Sequence, residues 1–376
     1  MKETTLKIGI IGGGLMGREA ASAIGRWCAL NEMPMRPELW AVCDISEPVR
    51  EWYRQIPTVS LLTADYCELL RSDVDAVYVA VPHNLHEEIY SAVLLAGKDL
   101  FAEKPFGIDL PSAIRIEKEV QESGRFVRCS SEFPFFPGAQ RAFEYVKSGA
   151  CGRIMEMRSA FLHSSDLDLS KPINWKRRSE TCGAIGVMGD LGLHVAHLPL
   201  RLGVRPRTVH ATLQNLVPTR PDGKGGTADC DTFDNATLHV TASLGDQEFP
   251  LTLEMKRLAP GETNTWIFEA LGLSGGVRFS TKEPKTLWTF ENGKEQGWRR
   301  VDLGHASVLP AITGGIFEFG FPDALLQMWG AFALERSGAL GEKFGCATVE
   351  EAVMSHRIFD AAMRSHESGG VAEVSA

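Results

Sequence analysis

An aspartate and a histidine stand four residues apart in the segment Gly189-Asp190-Leu191-Gly192-Leu193-His194. If the segment is helical, this spacing places both side chains on one face, which His197 extends. An aspartate one turn from a histidine can orient the ring, fix its tautomer and stabilise its charged form, as acid/base sites require. The motif alone is also compatible with a hydrogen-bonded core histidine and a capping aspartate.

Lys104 lies in the sequence Glu103-Lys104-Pro105, directly after a predicted strand at residues 99–102. Ligands of open α/β folds bind at the carboxyl ends of parallel strands, where this lysine is expected. A lysine beside a cofactor can act as a general base if desolvation or a neighbouring positive charge lowers its pKa. The alternative is a surface lysine that pairs with Glu103.

The turn Gly12-Gly13-Gly14-Leu15-Met16-Gly17 follows an apolar run and precedes an alanine-rich helical stretch. In such a strand, turn and helix, Gly12 permits the tight turn and Gly14 lets the backbone approach a pyrophosphate. Gly17 lets the helix pack closely on the strand, and the helix N-terminus offers free N–H groups to the phosphates. The context therefore predicts a dinucleotide site.

Asp44 ends the second predicted strand, at residues 39–43. Its carboxylate can accept hydrogen bonds from the adenosine ribose hydroxyls and would repel a 2′-phosphate, which predicts NAD rather than NADP. The spacing from the glycine turn is longer than usual, and a small insertion at residues 31–37 explains it.

These candidates need a parallel sheet to hold them. Apolar runs predict strands at residues 6–11, 39–43, 75–81, 99–102 and 125–129. Helical patterns predict helices at residues 19–30, 47–55, 65–71, 85–96 and 110–123. Strands that alternate with helices indicate βαβ units and a doubly wound parallel sheet.

The second half of the chain is richer in β-type segments. Strands that read as an antiparallel sheet are predicted at residues 153–162, 209–216, 236–244, 251–258 and 265–271. Helices are predicted at residues 139–148, 323–338 and 349–365, followed by a frayed tail from residue 369. Residues 218–234, rich in Gly, Asp and Thr, are longer than ordinary connections and are expected to form a functional loop over a site.

Composition and charge narrow the function classes. The chain has 376 residues, with 39 basic and 48 acidic side chains, a formal charge of −9 and a pI near 5.7. A broad basic surface for nucleic acid or anionic membranes is therefore not expected. The eight cysteines form no CxxC pair, and no signal peptide or run of about 18 apolar residues occurs. We expect a cytoplasmic protein.

Several phrases together resemble the glucose-fructose oxidoreductase, inositol dehydrogenase and MocA type of NAD(P)-dependent sugar oxidoreductases. They are Glu103-Lys104-Pro105, Pro82-His83-Asn84-Leu85-His86, Ala96-Gly97-Lys98, residues 149–154, Trp175-Lys176 and Thr348-Val349-Glu350-Glu351-Ala352. The resemblance implies a Rossmann NAD-binding domain at residues 1–130. It also implies an α+β domain at residues 131–376, with a large, mostly antiparallel, open-faced sheet that binds substrate and makes dimer or tetramer contacts. The C-terminal helix is expected to pack back on the first domain.

The resemblance also implies that Lys104, Asp190 and His194 are the catalytic set. The residues expected at the NAD cofactor are Gly12, Gly14, Leu15, Met16, Gly17, Asp44, Pro82, His83, His86, Glu103 and Lys104. The residues expected at the substrate are Lys104, Trp175, Lys176, Arg177, Arg178, Asp190 and His194.

The sequence departs from the family pattern on the substrate side. His83 takes the place of the asparagine in the family's Pro-Asn-x-x-His, so it is expected next to the nicotinamide edge. The glycine run before the aspartate is Gly183-Ala184-Ile185-Gly186, and the usual Trp-Arg becomes Trp175-Lys176-Arg177-Arg178. This basic cluster is either a solvated loop or a site for an anionic group on the substrate.

Histidine pairs raise the question of a metal. His83 with His86 and His194 with His197 are i, i+3 pairs, yet no second carboxylate stands at ligand spacing and no HExxH occurs. No metal is predicted.

Two functions remain open, and a third is disfavoured. The first is NAD-dependent removal of hydride from a secondary hydroxyl of a sugar, sugar acid, glycoside or cyclitol, with Lys104 taking the hydroxyl proton, His194 assisting and Asp190 positioning His194. The second is a glycoside hydrolase that oxidises transiently to a 3-keto sugar, eliminates the aglycone, adds water and restores the hydroxyl, acting on an anionic glycoside. A non-catalytic regulatory protein is disfavoured because the three catalytic residues are all present.

Overall fold

The first sheet is parallel and has six strands. The computed structural model describes residues 4–304, 307–312 and 317–375. The strands are β1 Thr4–Ile11, β2 Met35–Cys43, β3 Leu61–Thr63, β4 Ala76–Val79, β5 Asp99–Ala102 and β6 Val127–Cys129. Their order is β3-β2-β1-β4-β5-β6, and every pair runs parallel. The predicted doubly wound sheet is confirmed.

Five helices cover the two faces of this sheet. They are α1 Leu15–Gly25, α2 Glu47–Tyr53, α3 Tyr66–Arg71, α4 His86–Leu95 and α5 Leu110–Ser123. All four residues of β4 are buried, which explains its continuous apolar sequence. The strand order reverses between β1 and β4, so a crevice opens at the carboxyl ends of these two strands.

A second sheet of nine strands occupies the rest of the chain. Its order is β16-β15-β14-β13-β7-β12-β11-β8-β17. The strands are β7 Ile154–Leu162, β8 Arg205–Gln214, β11 Asn235–Leu244, β12 Gln247–Lys256, β13 Thr265–Gly272, β14 Gly275–Ser280, β15 Thr286–Glu291, β16 Arg299–Asp302 and β17 Ala372–Glu373. The sheet is mostly antiparallel, as predicted, but β7 and β12 run parallel to each other.

The helices of the second half pack either on this sheet or against elements of the first half of the chain. They are α6 Pro137–Lys147, α7 Ser179–Cys182, α8 Val187–Arg201, α9 Phe321–Arg336 and α10 Val349–Ser368. Every residue of α8 from Val187 to Pro199 is buried, because this helix lies between β7, β12 and α10. A Cβ at Gly192 would come within 2.1 Å of the Phe359 ring, so glycine allows α8 to lie close to α10.

Three sequence-based assignments need correction. Helix α1 begins at Leu15, not at residue 19, because the last glycine of the turn already lies in its first turn. Part of the supposed insertion at residues 31–37 is the beginning of β2. The segment at residues 218–234 contains a hairpin of β9 Thr219–Pro221 and β10 Thr227–Asp229.

The C-terminal tail is also more ordered than predicted. Ala372 and Glu373 pair with β8, and the Val374 N–H donates to the Arg207 carbonyl. The expected frayed tail therefore adds an edge strand to the second sheet. No helix within the described ranges is long and apolar enough to cross a membrane.

Candidate active site

Two cavities meet at the carboxyl ends of the parallel strands. The cofactor cavity, of about 660 Å³, lies along the glycine turn and includes Gly12, Gly14, Asp44 and His83 in its wall. The α8 cavity, of about 520 Å³, lies between that helix and the second sheet. Both cavities are lined by Leu15, Met16, Lys104, Lys176 and Asp190. The two cavities therefore adjoin at these residues, so a ligand in one cavity can contact a ligand in the other.

The glycine turn has the geometry that close approach of a phosphate requires. Gly12 has φ +93°, and a Cβ there would lie 2.2 Å from the Ala80 carbonyl oxygen. A Cβ at Gly17 would lie 2.4 Å from the Gly12 carbonyl oxygen, whereas a Cβ at Gly14 would meet nothing within 4 Å. Gly14 is also the N-cap of α1 and supplies no side-chain cap, so the helix N–H groups are free for an anion.

Asp44 is fixed in the cofactor cavity by the backbone around it. Its Oδ2 accepts the Gly13 N–H at 2.9 Å, and its Oδ1 accepts the Ser46 N–H at 2.8 Å. Each carboxylate oxygen keeps a lone pair after these bonds. The carboxylate is thus oriented to accept hydrogen bonds from the two hydroxyl groups of a ribose.

This cavity is also lined by other residues that were expected to contact the cofactor, namely Leu15, Met16, Pro82, His83, Glu103 and Lys104. His83 is 3% exposed, and its Nδ1 lies 2.9 Å from the Cys182 carbonyl oxygen. Trp175, expected at the substrate, instead lines the cofactor cavity and packs edge-on against His83 at 4.8 Å.

Two residues expected at the cofactor lie behind the cavity wall. Gly17 packs against the turn, as described above. His86 is fully buried, with Nδ1 2.7 Å from the Pro105 carbonyl oxygen and Nε2 3.0 Å from that of Val81. Burial lowers the pKa of His86 to about 4. His86 therefore lies between the segments that follow β4 and β5, and its neutral ring has one N–H to donate to one of these two carbonyls.

Asp190 is the centre of a charge cluster at the boundary of the cavities. The Lys104 ammonium donates to its Oδ1 at 3.0 Å and to its carbonyl oxygen at 2.7 Å. The Lys176 ammonium lies 2.9 and 3.0 Å from the two carboxylate oxygens, and Arg257 Nη2 donates to Oδ2 at 3.2 Å. Burial opposes ionisation of Asp190, but the three cations hold its pKa well below its usual value.

A general base at Lys104 would need a lowered pKa, and this arrangement does not lower it. Burial alone would lower the pKa of Lys104, but the Asp190 and Glu103 carboxylates outweigh it and keep the pKa above its usual value. The Glu103 carboxylate accepts hydrogen bonds from the Tyr78 hydroxyl at 2.5 Å and from the backbone N–H of Lys104 at 3.1 Å. Lys104 is therefore a cation that can donate a hydrogen bond to an oxygen.

His194 is not oriented by Asp190, contrary to the sequence-based prediction. The Asp190 carboxylate is occupied by the three cations, and no hydrogen bond joins it to His194 among the residues that the structure describes. Among the described residues, the carboxylate nearest to His194 is that of Glu132, whose Oε2 lies 3.8 Å from His194 Nδ1. Burial, together with the Lys104 charge, keeps the pKa of His194 well below its usual value, so the ring is neutral at physiological pH.

The three consecutive basic residues lie in different environments. Lys176 lines both cavities. Arg177 is 1% exposed and pairs with the carboxylates of Asp166 and Asp234; Asp166 lines the α8 cavity, but the linings of the two cavities do not include Arg177 itself. Arg178 is exposed, and the linings of the two cavities do not include it.

Sequence reasoning missed several residues that line the α8 cavity, above all Arg257 and Glu132. Arg257 directly follows β12 and is buried, but a single arginine after a strand carries no recognisable motif. Glu132 follows β6 after Ser130 and Ser131, and its position at a strand end was the one available signal. No cluster of three or more metal-ligating side chains occurs in the parts of the chain that the structure describes.

A doubly wound sheet with this turn, an acidic residue after β2, and a second cavity with charged side chains beside the cofactor cavity define an NAD-dependent oxidoreductase. The chain belongs to the GFO/IDH/MocA oxidoreductase family. The family model "Oxidoreductase family, NAD-binding Rossmann fold" matches residues 6–131, and the model "GFO/IDH/MocA C-terminal domain" matches residues 139–275.

The relatives of this chain include dehydrogenases that act on sugars or inositol. The chain is 24% identical over 323 residues to levoglucosan dehydrogenase of Pseudarthrobacter phenanthrenivorans, covering 80% of this chain and 81% of that protein. It is 30% identical over 167 residues to inositol 2-dehydrogenase 4 of Saccharopolyspora erythraea, covering 44% and 48%. A solved levoglucosan dehydrogenase in complex with NADH superposes with a TM-score of 0.88 at 23% identity, covering 99% of this chain and 100% of that one.

Proposed function

We propose that this protein oxidises a secondary hydroxyl of a sugar, sugar acid, glycoside or cyclitol and passes the hydride to NAD. The observation that carries this proposal is the shared wall of the two cavities, where Lys104 and Asp190 face both of them. The sugar-dehydrogenase names of the relatives support the same substrate class. The α8 cavity, at about 520 Å³, has room for a monosaccharide or a small glycoside.

The residues present fit NAD. The glycine turn and the free end of α1 would hold the pyrophosphate, and Asp44 would hold the adenosine ribose. The nicotinamide supplies the hydride acceptor, and the remaining chemistry is positioning and proton transfer by side chains.

In the proposed mechanism the two basic groups have separate roles. The protonated Lys104, held by Asp190, donates a hydrogen bond to the reacting hydroxyl oxygen and stabilises negative charge that develops there. His194, neutral at physiological pH, accepts the hydroxyl proton. This assignment exchanges the roles expected from the sequence, because Asp190 raises the pKa of the lysine and burial lowers that of the histidine.

We further propose that the substrate carries an anionic group. With both lysines protonated, Lys104, Lys176 and Arg257 place three positive charges around the carboxylate of Asp190, so these four groups together carry a charge of +2. Lys171 adds another ammonium to the wall of the α8 cavity, and Glu19 and Asp166 add carboxylates, of which that of Asp166 is paired with Arg177. A carboxylate or sulfonate on the sugar would be attracted by this excess and could form charge-assisted hydrogen bonds.

One experiment tests the activity and separates it from redox-neutral glycoside cleavage. The protein is incubated with NAD and a panel of matched neutral and anionic sugars and aryl glycosides, and NADH and released aglycone are followed together. NADH formation in proportion to substrate consumed supports the dehydrogenase. Aglycone release without net NADH would replace it by the hydrolase, and neither product from any sugar would contradict both. The division at residue 130, the homo-oligomer and the cytoplasmic location stay predictions.

A further inference from the structure

Glu132 places a carboxyl group beside His194 in the wall of the α8 cavity. It is 4% exposed, and its Oε2 lies 3.8 Å from His194 Nδ1. That nitrogen is buried and has no hydrogen-bond partner within the described part of the chain. Hydrogen bonds of catalytic groups are often long before substrate binds and tighten in the complex, so the pair is within reach of a direct bond.

The surroundings of His194 fix the plane of its ring. Phe133 and Phe161 cross the imidazole nearly at right angles, with ring centroids 5.2 and 5.3 Å away. The Trp266 Nε1–H donates to the His194 carbonyl oxygen at 2.8 Å and anchors the backbone. With Asp190 engaged by its cations, Glu132 is the acidic group toward which this fixed ring turns Nδ1.

We propose that Glu132 and His194 form a proton relay, in which Glu132 takes up the proton that leaves the substrate hydroxyl. This inference rests on the proposed function. The hydroxyl O–H bond breaks and its proton moves to the cavity-facing nitrogen of His194, while the Nδ1–H proton moves to the Glu132 carboxylate. The electron pair of the adjacent C–H bond leaves as hydride, so the sugar carbon is oxidised, NAD is reduced and one proton remains on Glu132.

The charges around Glu132 suit it to gain and lose a proton near neutral pH. Four ionisable groups face it: Tyr78 from β4, Glu103 and Lys104 after β5, and His194 from α8. Burial raises the pKa of Glu132 to about 7, Glu103 adds to this effect and Lys104 opposes it. A carboxyl group in this range can accept a proton in each turnover and release it afterwards.

The test compares proton acceptance with mere orientation of the ring. In the Glu132→Gln variant, the side-chain amide oxygen can still accept a hydrogen bond from His194, but the amide cannot take up a proton. We expect kcat to fall about 10- to 100-fold, with little change in KM or in NAD affinity, and the acidic inflection of kcat/KM near pH 7 to disappear. Glu132→Asp should keep the inflection with part of the rate, and formate should restore part of the activity of Glu132→Ala.

A matched control lies on the other side of the same helix. Glu351 Oε2 lies 3.7 Å from His197 Nε2, and Glu351 is absent from the linings of both cavities. Glu351 also pairs with Arg201, so Glu351→Gln removes a histidine-adjacent carboxylate that has a structural partner. This variant can lower the free energy of unfolding but should leave the pH profile of kcat/KM unchanged. If native protein oxidises a sugar and Glu132→Gln keeps its rate and inflection, the relay is wrong and the proposed function stands.

A second measurement needs no substrate. The pKa of His194, followed by ¹⁵N NMR and assigned with a His194→Asn variant, should be lower in Glu132→Gln than in native protein, because the carboxylate stabilises the charged ring. Equal values would overturn the relay even if no sugar were oxidised. If the Gln variant does not fold, Glu132→Asp takes its place in this comparison.

Discussion

Lys176, Arg177 and Arg178 are consecutive in sequence but differ in environment, so neutralising each to glutamine should give a different result. Lys176 has 38% of its side chain exposed and its ammonium at the boundary of the cavities. Arg177 is buried against two aspartates, and Arg178 is exposed away from the cavities. The three variants therefore control for one another.

The expected magnitudes follow from these contacts. A charge-assisted hydrogen bond to a substrate anion contributes about 1.5 to 3 kcal/mol, so Lys176→Gln should lower kcat/KM for an anionic sugar about 10- to 150-fold. The matched neutral sugar should lose no more than about threefold. Arg177→Gln leaves the Asp166 and Asp234 carboxylates without their cation and should lower the free energy of unfolding by about 3 to 5 kcal/mol. Arg178→Gln should change either quantity little.

The assay measures both quantities on the same preparations. Rates with NAD are compared for a uronic acid and its neutral parent sugar, and stability is measured by urea unfolding. A similar loss for both sugars in Lys176→Gln would show damage to the site rather than loss of anion recognition. The reasoning would be refuted if Arg178→Gln, rather than Lys176→Gln, lost the preference for the anionic sugar over the neutral one. It would also be refuted if the native protein showed no such preference.

Three further predictions concern single residues. Asp44→Ala should narrow the preference for NAD over NADP, measured by equilibrium binding, and equal affinities in the native protein would contradict the role of the carboxylate. Lys104→Ala should leave NAD affinity nearly unchanged while kcat falls about 100-fold or more, so near-normal turnover would exclude it from the mechanism. Because burial raises the folded-state pKa of Glu132 to about 7, above 4.5, its stabilising contribution is complete below pH 4.5 and is lost as pH rises through 7. Between pH 5 and 8 the free energy of unfolding of the native protein should therefore fall by up to about 3 kcal/mol relative to that of Glu132→Gln, as measured by urea unfolding. If the difference between the two proteins does not change with pH, this pKa is wrong.

The cofactor half of the site could be predicted from sequence because its signals are local. The tight turn demands glycine at Gly12 and Gly17, where a Cβ would collide with the backbone, and Asp44 is one residue beyond a strand. Strand β4 is apolar throughout because both faces are covered. Each of these constraints acts on residues that are close in sequence.

The substrate half could not be predicted as well, because its contacts join distant parts of the chain. Asp190 binds cations 86 and 67 residues away, which its spacing from His194 does not indicate. Trp175, Lys176 and Arg177 form a 3-10 turn, in which successive side chains point about 120° apart, so a basic run cannot show which member faces the cavity. The tail strand β17 likewise forms only because β8 offers an edge.

The cluster around Asp190 means that the fold tolerates electrostatic frustration at its centre. Three cations within hydrogen-bond distance of one carboxylate repel one another in a place where water screens them poorly. Asp190 outweighs burial and raises the pKa of Lys104 and Arg257, whereas burial together with those two cations lowers the pKa of Lys176. Lys176 is therefore the cation that the fold holds at some cost in stability, as functional sites commonly do. A bound anion would relieve that repulsion, so occupancy of the site and resistance of the whole molecule to unfolding are linked quantities.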